Sequence, residues 1–319
     1  MADLRWGILG AAKFAREFMA PALTLAPGGH LVALATSDPA KAEPFRAFAP
    51  DLRVHAGYAA LLADPGVDAV YIPLPNPMHV EWSLKAMRAG KHVLCEKPMA
   101  MQASDFDELI AARDAAGVLA AEAFMIVHHP QWQRVRQLLA EGAIGPLRRI
   151  DGAFSYNNRD AGNIRNQAGM GGGGLRDIGV YVMGCARFAT GLEPSEVQAR
   201  IEWENGVDVY AEVSAKFGDA HYAAFTSIRM HARQEVTFHG ETGVLRLPVP
   251  FNARVFGEAR LDLQRGMETV SERWPSVNHY ELQAAAFNRS VHEGGAYACP
   301  LEFSRGTQAM MDAAFANAY

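Results

Sequence analysis

Over residues 1–123, short apolar runs of strand length alternate with stretches whose apolar residues recur at helical spacing. This is the βαβ pattern. Arg5-Trp6-Gly7-Ile8-Leu9 reads as the first strand, and a helix is predicted from about Lys13 to just before Pro27-Gly28-Gly29. His30–Ala35 forms a second run, after which Asp38-Pro39 pairs a capping carboxylate with a proline suited to the first helical position. A third run, Val67–Ile72, breaks at Pro73-Leu74-Pro75-Asn76-Pro77; the following helix carries Val80, Leu84 and Met87 and ends at Gly90. Lys91–Cys95 then leads into Glu96-Lys97-Pro98. A helix from Ser104, capped by that serine, precedes a last run, Val118–Glu122. Nearly every position in these strands is apolar, so helices are expected on both faces of a parallel sheet.

The pattern changes after about Phe124. A helix is predicted from Pro130 to Ala140, followed by the alternating strand Arg149–Tyr156. Beyond residue 195 the chain reads as an antiparallel meander with turns at Asn205-Gly206, Gly218-Asp219 and Gly240–Gly243. Between the first two turns, Val207, Val209, Ala211, Val213, Ala215 and Phe217 share one face, and Asp208, Tyr210, Glu212, Ser214 and Lys216 the other. Two helices near 278–292 and 302–317 close the chain. The expected class is α/β, with a parallel-sheet domain at 1–123 and an α+β domain with a mainly antiparallel sheet at 124–319.

Composition narrows the function classes. Half of the residues are hydrophobic and 20% are charged, with a formal net charge of −5. That balance, with no basic block, argues against nucleic acid or an anionic membrane as partner. No apolar run has the ~18 residues of a membrane span. The N-terminus, Met1–Trp6, reads as a strand rather than a signal peptide. Cys95, Cys185 and Cys299 are widely spaced and form no Cys/His ligand pattern, so no metal is expected and a cytoplasmic location with reduced thiols is.

The candidate chemistry lies where the apolar runs end. In open parallel sheets, ligands bind outside the carboxyl ends of the strands. Gly10-Ala11-Ala12-Lys13-Phe14-Ala15 occupies the first such turn, with alanine at the second and third positions of the dinucleotide-binding Gly-x-Gly-x-x-Gly/Ala fingerprint. Gly10 can make the tight turn, Ala12 still admits a pyrophosphate, and the helix start supplies N–H groups. A small-residue turn without ligand is the competing reading.

At the end of the second strand, Thr36, Ser37 and Lys41 suit a 2′-phosphate better than a bare ribose diol, which favours NADP over NAD. A solvated cap formed by Asp38 and Lys41 is the alternative. Pro73, Leu74, Asn76 and His79 lie in a proline-stiffened loop that can run along a cofactor, although Asn76 and His79 can equally cap the helix that follows.

Lys97 is an amine at the end of a buried strand, an expensive placement unless it is used. Asp177 and Tyr181 are four residues apart and share a face if helical. Gly171–Gly174 before them suits close approach of backbone to a ligand. Hydride transfer between an alcohol and a nicotinamide needs a group to exchange the hydroxyl proton. A tyrosine beside a cation can do this, and so can a desolvated lysine. Asp177 then orients a second hydroxyl or holds the lysine. Pro98 also raises the option of a cis peptide after Lys97.

These segments resemble the glucose-fructose oxidoreductase/inositol dehydrogenase/MocA (Gfo/Idh/MocA) family. The resemblance is carried by Arg5–Ala12, Ile72–His79, Ala89–Pro98, Glu122-Ala123-Phe124-Met125 and Asn163-Ile164-Arg165. It implies a Rossmann domain followed by an open, mainly antiparallel sheet that commonly makes dimer contacts. By the resemblance Lys97 matches the catalytic lysine. Glu96, Asn76 and His79 match positions near the nicotinamide, and Arg165 a cofactor-contacting arginine. Tyr181, where many members have histidine, is similar to the branch of dimeric dihydrodiol dehydrogenase and NADP-dependent D-xylose dehydrogenase, in which tyrosine is the proposed acid/base. That branch often has arginine at the place of Ser37. Ile126-Val127-His128-His129 departs from the family pattern in the substrate region.

The expected function is an NAD(P)-dependent dehydrogenase acting on a secondary alcohol of a sugar, polyol or cyclic diol, in a homodimer or higher homo-oligomer. Phe154, Tyr156 and Asn163 are candidate substrate contacts, with core packing an equal option for the two aromatics. The alternatives are a non-catalytic NAD(P)-sensing regulator and an NAD-dependent glycosidase.

Overall fold

The computed structural model describes residues 2–319. The described residues divide into two compact units, one of residues 2–125 and 279–305, the other of 126–278 and 306–319. The helix near 279 was expected with the second domain, within 124–319. It packs instead with the first unit: Trp6 Nε1 donates to Asn288 Oδ1 at 2.9 Å, and the Trp6 and Phe287 rings lie 5.0 Å apart. A polar link between residues so far apart in sequence leaves no periodic trace.

The first unit holds a six-stranded parallel sheet. Its strands are β1 (Leu4–Leu9), β2 (Gly29–Ala35), β3 (Arg53–His55), β4 (Ala69–Ile72), β5 (His92–Cys95) and β6 (Ala120–Glu122). Their order is β3-β2-β1-β4-β5-β6, the doubly wound arrangement, with its switch point between β1 and β4. Apart from the partly buried Val32, the apolar residues of β1, β2, β4 and β5 are buried, as their two-sided apolar character requires. Strand β3 and helix α2 (Tyr58–Leu62), at three and five residues, are too short for periodicity to reveal.

Asp38 caps its turn as expected, accepting from the Ala40 N–H at 3.0 Å, with Pro39 first in the turn. Ser104 does not: it stands at the start of helix α4 (Asp105–Ala116) in helical conformation with no side-chain cap. The Asp105 carboxylate takes the Gln102 N–H instead. A capping side chain needs an extended backbone, and Ser104 lacks one.

The second unit holds an eight-stranded sheet of β7 (Leu147–Asn157), β8 (Ser195–Glu204), β9 (Val207–Phe217), β10 (Ala220–Ser227), β11 (Arg229–Gly240), β12 (Val244–Leu247), β13 (Ala259–Arg265) and β14 (Glu268–Trp274). The order is β14-β13-β12-β11-β7-β10-β9-β8. All pairings are antiparallel except β7 with β10. Asn205 and Gly206, at φ +51° and +78°, make the hairpin turn that their sequence announces.

Helices α5 (Pro130–Ala140) and α6 (Val180–Thr190) pack together, and α6 lies against β7 through Val182. Every residue of α6 up to Ala189 is buried. On β9 the six apolar residues are buried as expected, but Asp208, assigned to the polar face, is only 1% exposed.

Candidate active site

Gly10 closes β1 with φ +102°, a conformation that disfavours any side chain, and its N–H donates to Ala35 O at 2.9 Å. A Cβ there would stand 3.1 Å from Leu74 Cδ2, so the turn at the end of β1 touches the loop after β4. The helical segment that follows begins at Lys13 and runs through Ala15–Met19 into α1 (Ala20–Leu25); Ala12, whose carbonyl accepts the Arg16 N–H at 3.1 Å, has no side-chain group that could cap its start. Its first N–H groups therefore remain for an anion. Ala11 and Ala12 are half-buried and Lys13 is exposed. The Phe14 ring packs against Phe18 and Tyr280 at 5.1 and 5.5 Å. These features fit a dinucleotide at the switch point: a turn that only glycine fills easily, small neighbours and an uncapped helix start.

At the end of β2, the Thr36 hydroxyl is engaged within its own loop, 3.2 Å from both the N–H and the carbonyl of Asp38. Thr36 is buried, whereas Ser37 and Lys41 are exposed. In the loop after β4, the buried His79 imidazole bridges the Leu74 carbonyl (Nε2, 2.6 Å) and the Pro98 carbonyl (Nδ1, 2.8 Å). Burial pushes its pKa down. The two carbonyls oppose this, and the nearby Lys97 charge adds to it. His79 thus ties the loop of Pro73, Leu74 and Asn76 to the turn after β5; it begins helix α3 (His79–Arg88) and is no cap.

That turn carries Lys97, half-buried, with a cis bond to Pro98. Its N–H lies 3.3 Å from Glu96 Oε2, and Glu96 Oε1 accepts the buried Tyr71 hydroxyl at 2.6 Å. Nearby, the buried Glu122 carboxyl accepts the Met99 N–H at 2.8 Å. Desolvation raises its pKa, partly offset by that bond, by Ser304 and by the Lys97 charge.

In the second unit, a wide turn, Leu175–Gly179, runs into α6 and places Asp177 and Tyr181 on one helical segment. Asp177 Oδ2 accepts the Tyr156 hydroxyl and Arg165 Nε, both at 2.7 Å. The Asp177 charge is the main reason that the Arg165 pKa rises. Burial first, then Asp177, drives the Tyr156 pKa far above the ordinary phenol value. Tyr181 is buried beside Phe154 and Phe251, with ring centroids 5.6 and 5.5 Å away. Phe154 is itself stacked on Phe251 at 5.2 Å. The Asn163 side chain accepts the Arg165 N–H at 3.1 Å and so caps the short turn that carries the arginine.

The glycine run before Asp177 is packed closely against the protein's own groups. A Cβ on Gly172 would meet the Arg165 carbonyl at 2.6 Å, and one on Gly173 (φ +115°) would collide with Asp208 Oδ1. Asp208, Phe251 and Tyr71 escaped the sequence reading. Asp208 looks like an ordinary outward residue in an alternating strand, and the two aromatics look like ordinary core.

Comparison with known proteins decides the family. Residues 4–124 match the oxidoreductase family with an NAD-binding Rossmann fold, and residues 132–246 match the GFO/IDH/MocA C-terminal domain. The chain belongs to the GFO/IDH/MocA oxidoreductase family. It is 35% identical to the uncharacterized oxidoreductase ORF334 of Rhizobium meliloti, over 97% of this chain and 95% of that protein. It is 30% identical to D-xylose 1-dehydrogenase (NADP(+)) 2 of Haloferax volcanii, over 99% and 97%. Among solved structures, KijD10, a 3-ketoreductase from Actinomadura kijaniata in complex with NADP and TDP-benzene, superposes with a TM-score of 0.90 at 30% identity, covering 99% of this chain and 98% of that one. The protein is thus an NAD(P)-dependent oxidoreductase, with the Rossmann domain and mainly antiparallel second sheet expected of it. Among the described residues, no helix is long and apolar enough to cross a membrane.

Proposed function

We propose that this oxidoreductase uses NADP(H) to interconvert a secondary alcohol and a ketone on a sugar ring or related cyclic diol. Lys97, Tyr181 and Asp177 are its catalytic groups. When bound, a nicotinamide would accept or supply the hydride. The chain's part is the proton and the geometry. In reduction, Tyr181 gives its hydroxyl proton to the carbonyl oxygen as that oxygen becomes an alcohol; in oxidation it takes the proton back. Lys97 stabilises the phenolate by its charge and holds the substrate oxygen. Asp177, fixed by Arg165 and Tyr156, accepts a hydrogen bond from a neighbouring hydroxyl. The binding turn is Gly10, Ala11, Ala12, Lys13 and Phe14, with Pro73, Leu74, Asn76, His79, Glu96 and Arg165 completing the cofactor contacts.

The observation that carries this reading is the pairing of Arg165 with Asp177 four residues before Tyr181, in a chain that aligns with dehydrogenase and reductase relatives over its length. A sensing regulator has no need of that set together with Lys97, and steady turnover of cofactor in bulk separates this reading from a glycosidase that holds its NAD. The NADP preference rests on Asp38: its carboxylate caps its own helical turn, leaving exposed Ser37 and Lys41 to meet a 2′-phosphate. KijD10 was solved with NADP, and the Haloferax relative is named for it.

The open face of the second sheet, where Arg149, Asp151, Tyr210, Arg233 and Glu235 line a shallow cavity of about 250 Å³, is the proposed homodimer surface.

The test is a panel read by nicotinamide absorbance. D-xylose, myo-inositol and a trans-dihydrodiol are offered with NADP+ or NAD+, and a dTDP-linked 3-ketosugar with NADPH or NADH. Turnover of at least one compound, faster with the phosphorylated cofactor, is expected. No turnover across the panel would overturn the catalytic reading, and equal rates with both cofactors would overturn the NADP assignment.

A further inference from the structure

Asp208 combines three unusual properties. It is charged, it is 1% exposed, and it takes a place in β9 that alternation gives to an outward residue. What covers it is the glycine run. Its Oδ2 accepts the Leu175 N–H at 2.6 Å, at the beginning of the turn that carries Asp177 and continues into Tyr181. Oδ1 lies against Gly173, where any Cβ would collide with it, and a Cβ on Gly174 would approach Oδ2 to 3.3 Å. The glycine loop is closed from its other side by the bond from the Gly173 N–H to the Arg165 carbonyl at 2.9 Å.

The two neighbours of Asp208 on β9 act on the same group from elsewhere. Val207 and Val209 form a small apolar cluster with Ile228, and Tyr156 packs on it. Tyr156 in turn donates to Asp177. One three-residue stretch of strand thus reaches the Asp177–Tyr181 segment twice: by a carboxylate at its start and by a tyrosine at its first acid. A carboxylate on the N–H groups of a helix start makes a charge-assisted bond and is favoured by the helix dipole. Burying it is nonetheless costly, and burial lifts its pKa to about 6 against the backbone bonds that lower it.

We infer that Asp208 is a positioning residue for the reaction: its carboxylate locks the first turn of the segment bearing Asp177 and Tyr181 and so sets where those two side chains stand. This rests on the proposed roles of Asp177 and Tyr181. Asp208 is buried beneath the glycine loop. It acts through the turn, and a displacement of about 1 Å in such a group costs roughly a hundredfold in rate.

Three measurements on the full chain test it: turnover of the panel substrate, the Kd for NADPH by fluorescence, and hydrogen exchange of the peptide spanning 171–183. Asp208→Ala is expected to lower kcat about 10- to 100-fold while the NADPH Kd stays within about twofold. Amide exchange at 174–178 should quicken. Asp208→Asn, which keeps an acceptor for the Leu175 N–H, should recover most of kcat. Wild-type kcat in Asp208→Ala would overturn the inference, as would a drop in kcat without faster exchange. If Asp208→Ala does not fold, wild-type exchange decides: a Leu175 amide as fast as an exposed loop amide overturns the inference, and a protected one that Asp208→Asn partly preserves supports it. Tyr181→Phe separates the two levels. Full turnover in that variant ends the catalytic reading itself. Lost turnover there, with normal kcat in Asp208→Ala, ends only the positioning role.

Discussion

The first unit presents its candidate site through the backbone, whereas the second presents it through a network of side chains. At the ends of β1, β4 and β5 the important features are a glycine at φ +102°, an uncapped helix start, and carbonyls of Leu74 and Pro98 clasped by one imidazole. In the second unit they are a carboxylate shared by Arg165 and Tyr156, a tyrosine among aromatic rings, and a buried aspartate under a glycine loop. Backbone features follow from a fold topology that many sequences share. Side-chain networks are particular to a reaction. The difference predicts a division of labour: damage to the first unit should appear mainly in cofactor affinity, and damage to the second in the rate of the chemical step.

The largest effect should come from the proton-handling groups. Tyr181→Phe and Lys97→Ala are each expected to lower kcat by roughly 10²–10⁴, with the melting temperature little changed. Steady-state kinetics beside a thermal scan will check this. Lys97 lies in the first unit, so a Lys97→Ala variant that loses NADPH affinity but keeps its kcat would move this residue to the binding side of the comparison.

Gly10→Val should act in the opposite way. A β-branched side chain at φ +102°, with a Cβ 3.1 Å from Leu74, strains the turn by about 1–3 kcal/mol. The NADPH Kd should rise by roughly tenfold or more, while the rate at saturating cofactor falls much less. Fluorescence titration against kcat at saturation separates the two quantities.

A smaller effect is expected at the end of β2. Lys41→Ala should reduce the ratio of NADPH to NADH in kcat/KM by about five- to tenfold, the value of one charge-assisted phosphate contact. An unchanged ratio would return Lys41 to solvent.

The smallest effect is a pH dependence of stability in which two groups of the second unit oppose each other. Burial lowers the His129 pKa to about 4, so the unfolded chain binds its proton first. Stability from this group is full above the ordinary histidine value and is lost as pH falls towards 4. Asp208 runs the other way. Its folded pKa of about 6 lies above the ordinary 3.8, so the folded chain binds the proton first and stability is gained as pH falls between those values. The Arg176 charge and the backbone N–H groups of Leu175 and Gly174 face Asp208 and hold its shift down, and Tyr156 lies within its field. Asp208→Asn removes the gain and leaves the loss. Its melting temperature should therefore fall more steeply than that of the wild type from pH 6 to pH 4, by a few degrees over the interval. Parallel curves would contradict the burial assigned to Asp208.

Most of the first unit was legible in the chain. Strands Arg5–Leu9, His30–Ala35 and Lys91–Cys95 appear within a residue or two of their expected bounds. The reason is that a strand buried on both faces must be apolar throughout. The turn at Gly10 and the cap at Asp38 were equally visible, because both depend on a single residue's backbone preference. The Ser104 cap was misread because capping depends on a φ/ψ that neighbouring residues set. The protein groups packed on the glycine run 171–174 were not legible either: glycine announces that something comes close without saying what.

The sequence by itself determined two layers of information: where the longer strands and helices lie, and which residue types capable of hydride chemistry stand at strand ends and on helices. Both depend on local spacing, which the chain carries openly. Only the tertiary structure decided that residues 279–305 complete the first unit, that Thr36 spends its hydroxyl on its own loop, and that Asp208 turns inward beneath Gly173. Each of these pairs groups distant in sequence or sets one hydrogen bond against another, and the free energy of such a choice resides in the contact rather than in either residue alone.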